Sequence, residues 1–186
     1  LTGSFGALNT VLAYEFQNYE SFDATAHEDG HTVYLGGNYD CGFAKTFVMA
    51  QYFKGLKVGN VNALDMLGDI DVTDKVTYED KANEIYDKGA KGYGLHLGTI
   101  VPISNGDLTV GAYYVDGTGE SSEAAVEDRD FDYLGLATKY EYRLSKRTSV
   151  YLGAGYYKAT VDATSGQNNE IEQKVGEVFT GLTHAF

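Results

Sequence analysis

Five residues early in the chain carry the letters of a zinc-protease motif, His27-Glu28-Asp29-Gly30-His31. That chemistry needs two histidines one helical turn apart on one face, with the glutamate aimed at a metal-bound water. Here Asp29-Gly30 marks a turn and an extended run begins at His31 or just after, so the five read as a polar loop. Asp69, Asp71 and Asp74 begin like a calcium loop, but Asp74 stands where the sharp turn of that loop requires glycine. Gly92, Gly94 and Gly98 do not make a dinucleotide fingerprint, because the third glycine falls one place late and no helix follows. Cys41 is the sole cysteine, which excludes an internal disulfide and a multi-cysteine zinc site and reads as a turn residue. None of these groups makes a catalytic centre, and the chain is not expected to be an enzyme.

A second kind of chemistry needs only charge in the right place. Lys139, Glu141 and Arg143 are spaced by two, so an extended strand points all three to one side. Glu15, Asp40 and Lys45 fall on the equivalent side of other extended runs. Charged side chains lining a water-filled passage set its field and therefore its ion preference. The plainer reading of the same residues is a salt-bridge lattice that satisfies a polar interior.

The elements that would hold these residues are strands. Apolar and polar residues alternate with period two over eight runs: 8–17, 32–40, 44–53, 93–103, 108–114, 134–143, 150–157 and 177–186. The clearest sets Leu134, Leu136, Thr138, Tyr140 and Tyr142 against Gly135, Ala137, Lys139, Glu141 and Arg143. Composition agrees, with 16 Tyr, 9 Phe and 23 Gly but one Pro and no Trp in 186 residues. The formal charge of -13 argues against nucleic acid as a partner, since a polyanion needs a basic footprint. No run approaches the ~20 apolar residues of a spanning helix, but spanning strands need only about 9–11 residues each.

The connections alternate too. Three are tight: Asp40-Cys41-Gly42, Asn105-Gly106-Asp107 and Ser145-Lys146-Arg147. Four are long, at 18–31, 55–91, 116–131 and 161–175, and they hold most of the 27 acidic residues. Residues 74–88 have the pattern of a short surface helix with Glu84 and Lys88 as an i,i+4 pair. Short turns at one end and long loops at the other are the asymmetry of an outer-membrane barrel.

The choice of solvent follows from the faces. One face carries the charges above with Gly36, Gly94, Gly98, Gly111, Gly135, Gly153 and Gly181. The other carries Val, Leu and Ala, bounded by Tyr14, Phe16, Tyr52, Tyr93, Tyr114 and Tyr156 at the loop end. Tyr39, Tyr140, Tyr142 and Phe186 bound it at the turn end. Two aromatic girdles around an apolar belt are expected where a barrel crosses two water interfaces.

The stretch Tyr140-Glu141-Tyr142-Arg143-Leu144-Ser145-Lys146-Arg147-Thr148-Ser149-Val150-Tyr151 resembles a hairpin of trimeric Gram-negative general porins. The close, Gly181-Leu182-Thr183-His184-Ala185-Phe186, is similar to the porin C-terminal signature. The nearest likeness is to the neisserial group. The resemblance implies an all-β transmembrane antiparallel barrel in the bacterial outer membrane that passes ions and small hydrophilic solutes. It further implies a homotrimer, contact with outer-membrane lipid and lipopolysaccharide, and an assembly signal at Leu182, His184 and Phe186 read by the barrel-assembly machinery. It implies no cofactor; divalent cations at the acidic outer loops follow from charge alone.

Such porins have roughly 16 strands, and eight are legible here. Residues 1–186, opening on Leu1, therefore read as one barrel unit or part of one, most simply the C-terminal half of a porin. The alternatives are a complete eight-strand barrel serving as an anchor or adhesin through its acidic loops, and, more remotely, a loop-borne metal-dependent hydrolase.

Overall fold

A computed structural model describes residues 1–18, 29–56, 89–120, 128–162 and 170–186. It is all-β: β1 (Thr2–Phe5), β2 (Leu8–Gln17), β3 (Gly30–Asp40), β4 (Lys45–Leu56), β5 (Gly89–Ile103), β6 (Gly106–Glu120), β7 (Arg129–Arg143), β8 (Thr148–Asp162) and β9 (Glu170–His184). All nine lie in one antiparallel sheet in chain order. Every neighbour in sequence is therefore a neighbour in space.

The eight expected strands are present and a ninth precedes them. β1 pairs Thr2 with Val11 and Phe5 with Leu8. At four residues, two of them Gly3 and Ser4, it is too short for alternation to register. The strands also run farther than the alternation suggests. β5 to β9 are 15 residues each and absorb residues at the edges of the expected long loops, including Asp116, Glu120, Asp130 and Glu172. The acidic rim is thus partly strand wall. Asp69, Asp71, Asp74, the 74–88 segment, His27 and Glu28 lie outside the described residues; His31 is on β3.

The four short connections all lie at one end. In the first, Gly6 takes φ 64° between β1 and β2. In the second, Gly42 takes φ 82° and its N–H donates to Asp40 Oδ1 at 2.8 Å. The third differs from expectation. Its two connecting residues are Ser104, at φ 56°, and Asn105, while Gly106 is already in β6, paired with Ile103. Gly106 is needed for closeness: a Cβ there would overlap the Glu141 carbonyl oxygen of β7. In the fourth, Ser145 Oγ accepts the N–H groups of Arg147 and Thr148, each at 3.1 Å.

The described residues form almost no dry core. The buried apolar side chains are Ala44, Phe53 and Ala90, while Leu35, Leu97 and Leu152 are 59%, 53% and 59% exposed. The register ends at β1 on one side and at β9 on the other, with no pairing between them among the described residues. The described strands thus form an open nine-stranded sheet, and the alternative of a complete, closed eight-strand barrel is not what they make.

Candidate functional site

The charged face centres on β7. Its strand alternation sends Lys139, Glu141 and Arg143 to the side opposite Leu136, Tyr140 and Tyr142. Lys139 Nζ lies 3.0 Å from Glu141 Oε2, and Ser149 Oγ on β8 donates to Glu141 Oε1 at 2.6 Å. The Lys139 ammonium also stands 5.7 Å over the Tyr151 ring. Arg143 pairs with Asp107 on β6. Each cation here has a carboxylate beside it, so this part of the wall is a neutral lattice.

The other expected residues are apart from it. Lys45 and Asp40 are register partners next to the β3–β4 turn, with Lys45 Nζ 5.5 Å from the Phe47 ring centre. Two strands, β5 and β6, separate Lys45 from Lys139 along one row. Asp40 serves the turn through Gly42 as much as the wall. Glu15 sits toward the loop end of β2, its carboxylate taken by Gln17 at 2.6 Å and Tyr34 at 3.1 Å. Three separate positions, not one cluster, hold the six.

Sequence reasoning left Asp107, Ser149, Glu177 and His96 out of the candidate lining. Asp107 was assigned to the turn; with the turn at 104–105 it is a wall residue. Glu177 lies across Gly155 of β8, its Oε1 3.1 Å from where a Cβ would stand. Its parity opposite Val178 was the signal that could have placed it. His96, with Met49, Gln51, Gly94 and Tyr113, borders a concavity of about 250 Å³ on the β4–β6 wall. Among the described residues no group of three or more His, Cys, Asp or Glu could hold a metal.

The reverse face is apolar, and its borders are not parallel to the rows of paired residues. From Tyr93 on β5 the register runs through Asp116 and Asp132 to Thr160 on β8, yet the aromatic there is Tyr156, four residues nearer the turns. From Tyr39 on β3 it runs through Thr46, Thr99 and Val110 to Thr138 on β7, yet the aromatic is Tyr142, again four residues nearer the turns. Over these spans the borders drift about one residue per strand, whereas Tyr14, Tyr52 and Tyr93 share one row from β2 to β5. At ~3.4 Å per residue and ~4.8 Å between strands, the drift from β5 to β8 and from β3 to β7 corresponds to an inclination of about 35–43° to the rows. Strands of spanning barrels tilt by about 35–45°. Along β5 the belt from Tyr93 to Ile103 measures roughly 34 Å, or ~26 Å in height after that tilt, against the ~25 Å apolar band of such barrels.

A level belt on tilted strands is what a bilayer selects. Independently, the sequence profile of the Gram-negative porins matches residues 1–162. The chain belongs to the Gram-negative porin family. The match is to the family and does not single out the neisserial group. No curated protein and no solved structure matches the chain. The porin is accordingly a transmembrane β-barrel protein of the bacterial outer membrane, and its activity is passive diffusion, not catalysis. Barrels of this kind turn an apolar face to lipid, a polar face to water and short turns to the periplasm.

Proposed function

We propose that the inward face of this sheet lines a water-filled pore with a mild preference for cations. Passage is by diffusion, limited by size and biased by wall charge. The bias rests on eight residues: Lys45, Lys139 and Arg143 against Glu15, Asp40, Asp107, Glu141 and Glu177. Among the described side chains, three cations against five carboxylates leave the wall negative, and the acidic connections add to it. Both open sheet edges support the further reading that additional strands complete the barrel and that these nine are the C-terminal part of it. The porin works as a homotrimer, and Leu182, His184 and Phe186 present the outward-facing signal to the barrel-assembly machinery. The observation that carries the reading is the inclined apolar belt backed by a charged wall.

Planar-bilayer recording of the purified porin tests it. Current steps arriving in threes and a reversal potential on the cation side in a salt gradient are expected. Absence of conductance, or firm anion selectivity, would overturn it.

A further inference from the structure

Glycines on the inward face let side chains lean, and at one place they lean apart. Met49, His96, Tyr113 and Gly135 share one row from β4 to β7. Gly135 presents no side chain, so the Tyr113 ring lies across it and away from His96. His96 leans another way. Its Nε2 stands 3.6 Å from where a Cβ of Gly111 would be and 3.8 Å from that of Gly98, both two residues nearer the turns. Gln51, two residues nearer the loop end, lies across Gly94, its register partner. The space left among Met49, Gln51, His96 and Tyr113 is the concavity of about 250 Å³.

Tyr113 heads a column of rings. It stacks on Tyr133, which stacks on Tyr157, and among the described residues no ring stacks on Tyr113 from the β5 side. The concavity occupies that position. Offset parallel rings attract beyond the area they bury, and the Met49 thioether is a further soft partner for an aromatic edge. The polar groups beside it are spare: the Gln51 amide and the His96 imidazole make no side-chain hydrogen bond among the described residues. An amide sets a donor beside an acceptor, and a neutral imidazole has one of each. The lining holds no carboxylate, lysine or arginine. A flat, uncharged ring whose edge pairs a donor with an acceptor meets all three conditions. Sites for drug-sized ligands measure about 300–1,000 Å³, so this smaller one suits a single-ring solute.

We propose that this concavity is a binding subsite for uncharged, planar aromatic solutes with an amide-like edge, held by stacking on Tyr113 and by hydrogen bonds to Gln51 and His96. The subsite deepens the pore reading and rests on it, since a solute reaches this face only from the lumen. Nicotinamide and cyclohexanecarboxamide test it, because they carry the same amide on a flat ring and on a puckered one. Affinity for the purified porin in nanodiscs is measured by saturation-transfer NMR, and single-channel current is recorded with each compound. Nicotinamide binds at least about fivefold more tightly and interrupts the current reversibly. Tyr113→Leu weakens its binding about tenfold, the loss of one ring stack, and Tyr113→Phe keeps it. Gln51→Leu weakens it about fivefold, the loss of one hydrogen bond. If Tyr113→Leu does not assemble, the two compounds on the unaltered porin decide. Equal binding of both carboxamides, or unchanged affinity in Tyr113→Leu with current steps retained, overturns the subsite and leaves the channel reading standing. Nicotinamide that binds without touching the current overturns its place in the lumen.

Discussion

The ring of Tyr113 on β6 lies across Gly135, its register partner on β7. The same relation recurs on the inward face: Phe179 covers Gly153, and Tyr151 covers Gly181. Tyr113 then stacks on Tyr133 at 5.0 Å and 19°, and Tyr133 on Tyr157 at 5.4 Å and 15°. The inward glycines do not leave the wall bare. Gly135, Gly153 and Gly181 are floors over which neighbouring aromatics lie.

A side chain at 135 therefore displaces Tyr113. Gly135→Ala is expected to cost about 1–3 kcal/mol, the usual penalty of overpacking. Adding Tyr113→Ala should return most of it, because the two residues contend for one space. The unfolding midpoint in detergent of the two single variants and the double variant checks this. An additive double variant would contradict it.

The β7 lattice predicts a change of selectivity with a definite sign. Glu141→Gln leaves Lys139 without its carboxylate, and Asp107→Asn does the same to Arg143. Each should move the reversal potential toward anions. The shift should be larger at 0.01 M salt than at 1 M, where charges are screened within about 3 Å. An unchanged potential in both variants would mean that these side chains only brace one another.

Ser145 supports a turn without touching the pore. Its hydroxyl accepts two backbone N–H groups, so Ser145→Ala should cost roughly 1 kcal/mol per lost bond at most. Unfolding midpoints should fall while conductance and selectivity stay as they are. Altered selectivity would show that this turn reaches into the lumen.

Phe186 is fully exposed and lies two residues beyond His184, the last residue of β9; its ring contact is an edge-on one with His184. Phe186→Ala should therefore lower the yield of porin in the outer membrane far more than it lowers the stability of porin already assembled. Quantifying membrane-inserted protein beside its melting point separates the two. An equal fall in both would make Phe186 a packing residue and not a signal.

Most of the architecture was legible because alternation at period two is dictated by the pleat. The eight runs, their faces and the single end for the short turns all follow from it. β1 escaped because four residues carry too little pattern. The 104–105 turn was misplaced because Asn105-Gly106 has the composition of a turn, whereas Gly106 answers to a close approach by β7 that no local reading contains. Parity put the six site residues on one face, and the register keeps them on one face. Their division into three positions was not legible, since it depends on register across strands that are far apart in the chain. Which aromatic covers which glycine was not legible for the same reason, whereas the parity of Glu177 opposite Val178 was legible and passed over.

Lipid contact on alternate residues of one strand is the central claim, and β7 tests it most directly. In a Cys41→Ser background, a fluorophore is attached in turn at Leu134→Cys, Gly135→Cys, Leu136→Cys, Ala137→Cys and Thr138→Cys in liposomes. Acyl-chain nitroxide should quench 134, 136 and 138, and aqueous iodide should quench 135 and 137. The reverse pattern, or iodide reaching all five alike, would contradict the account.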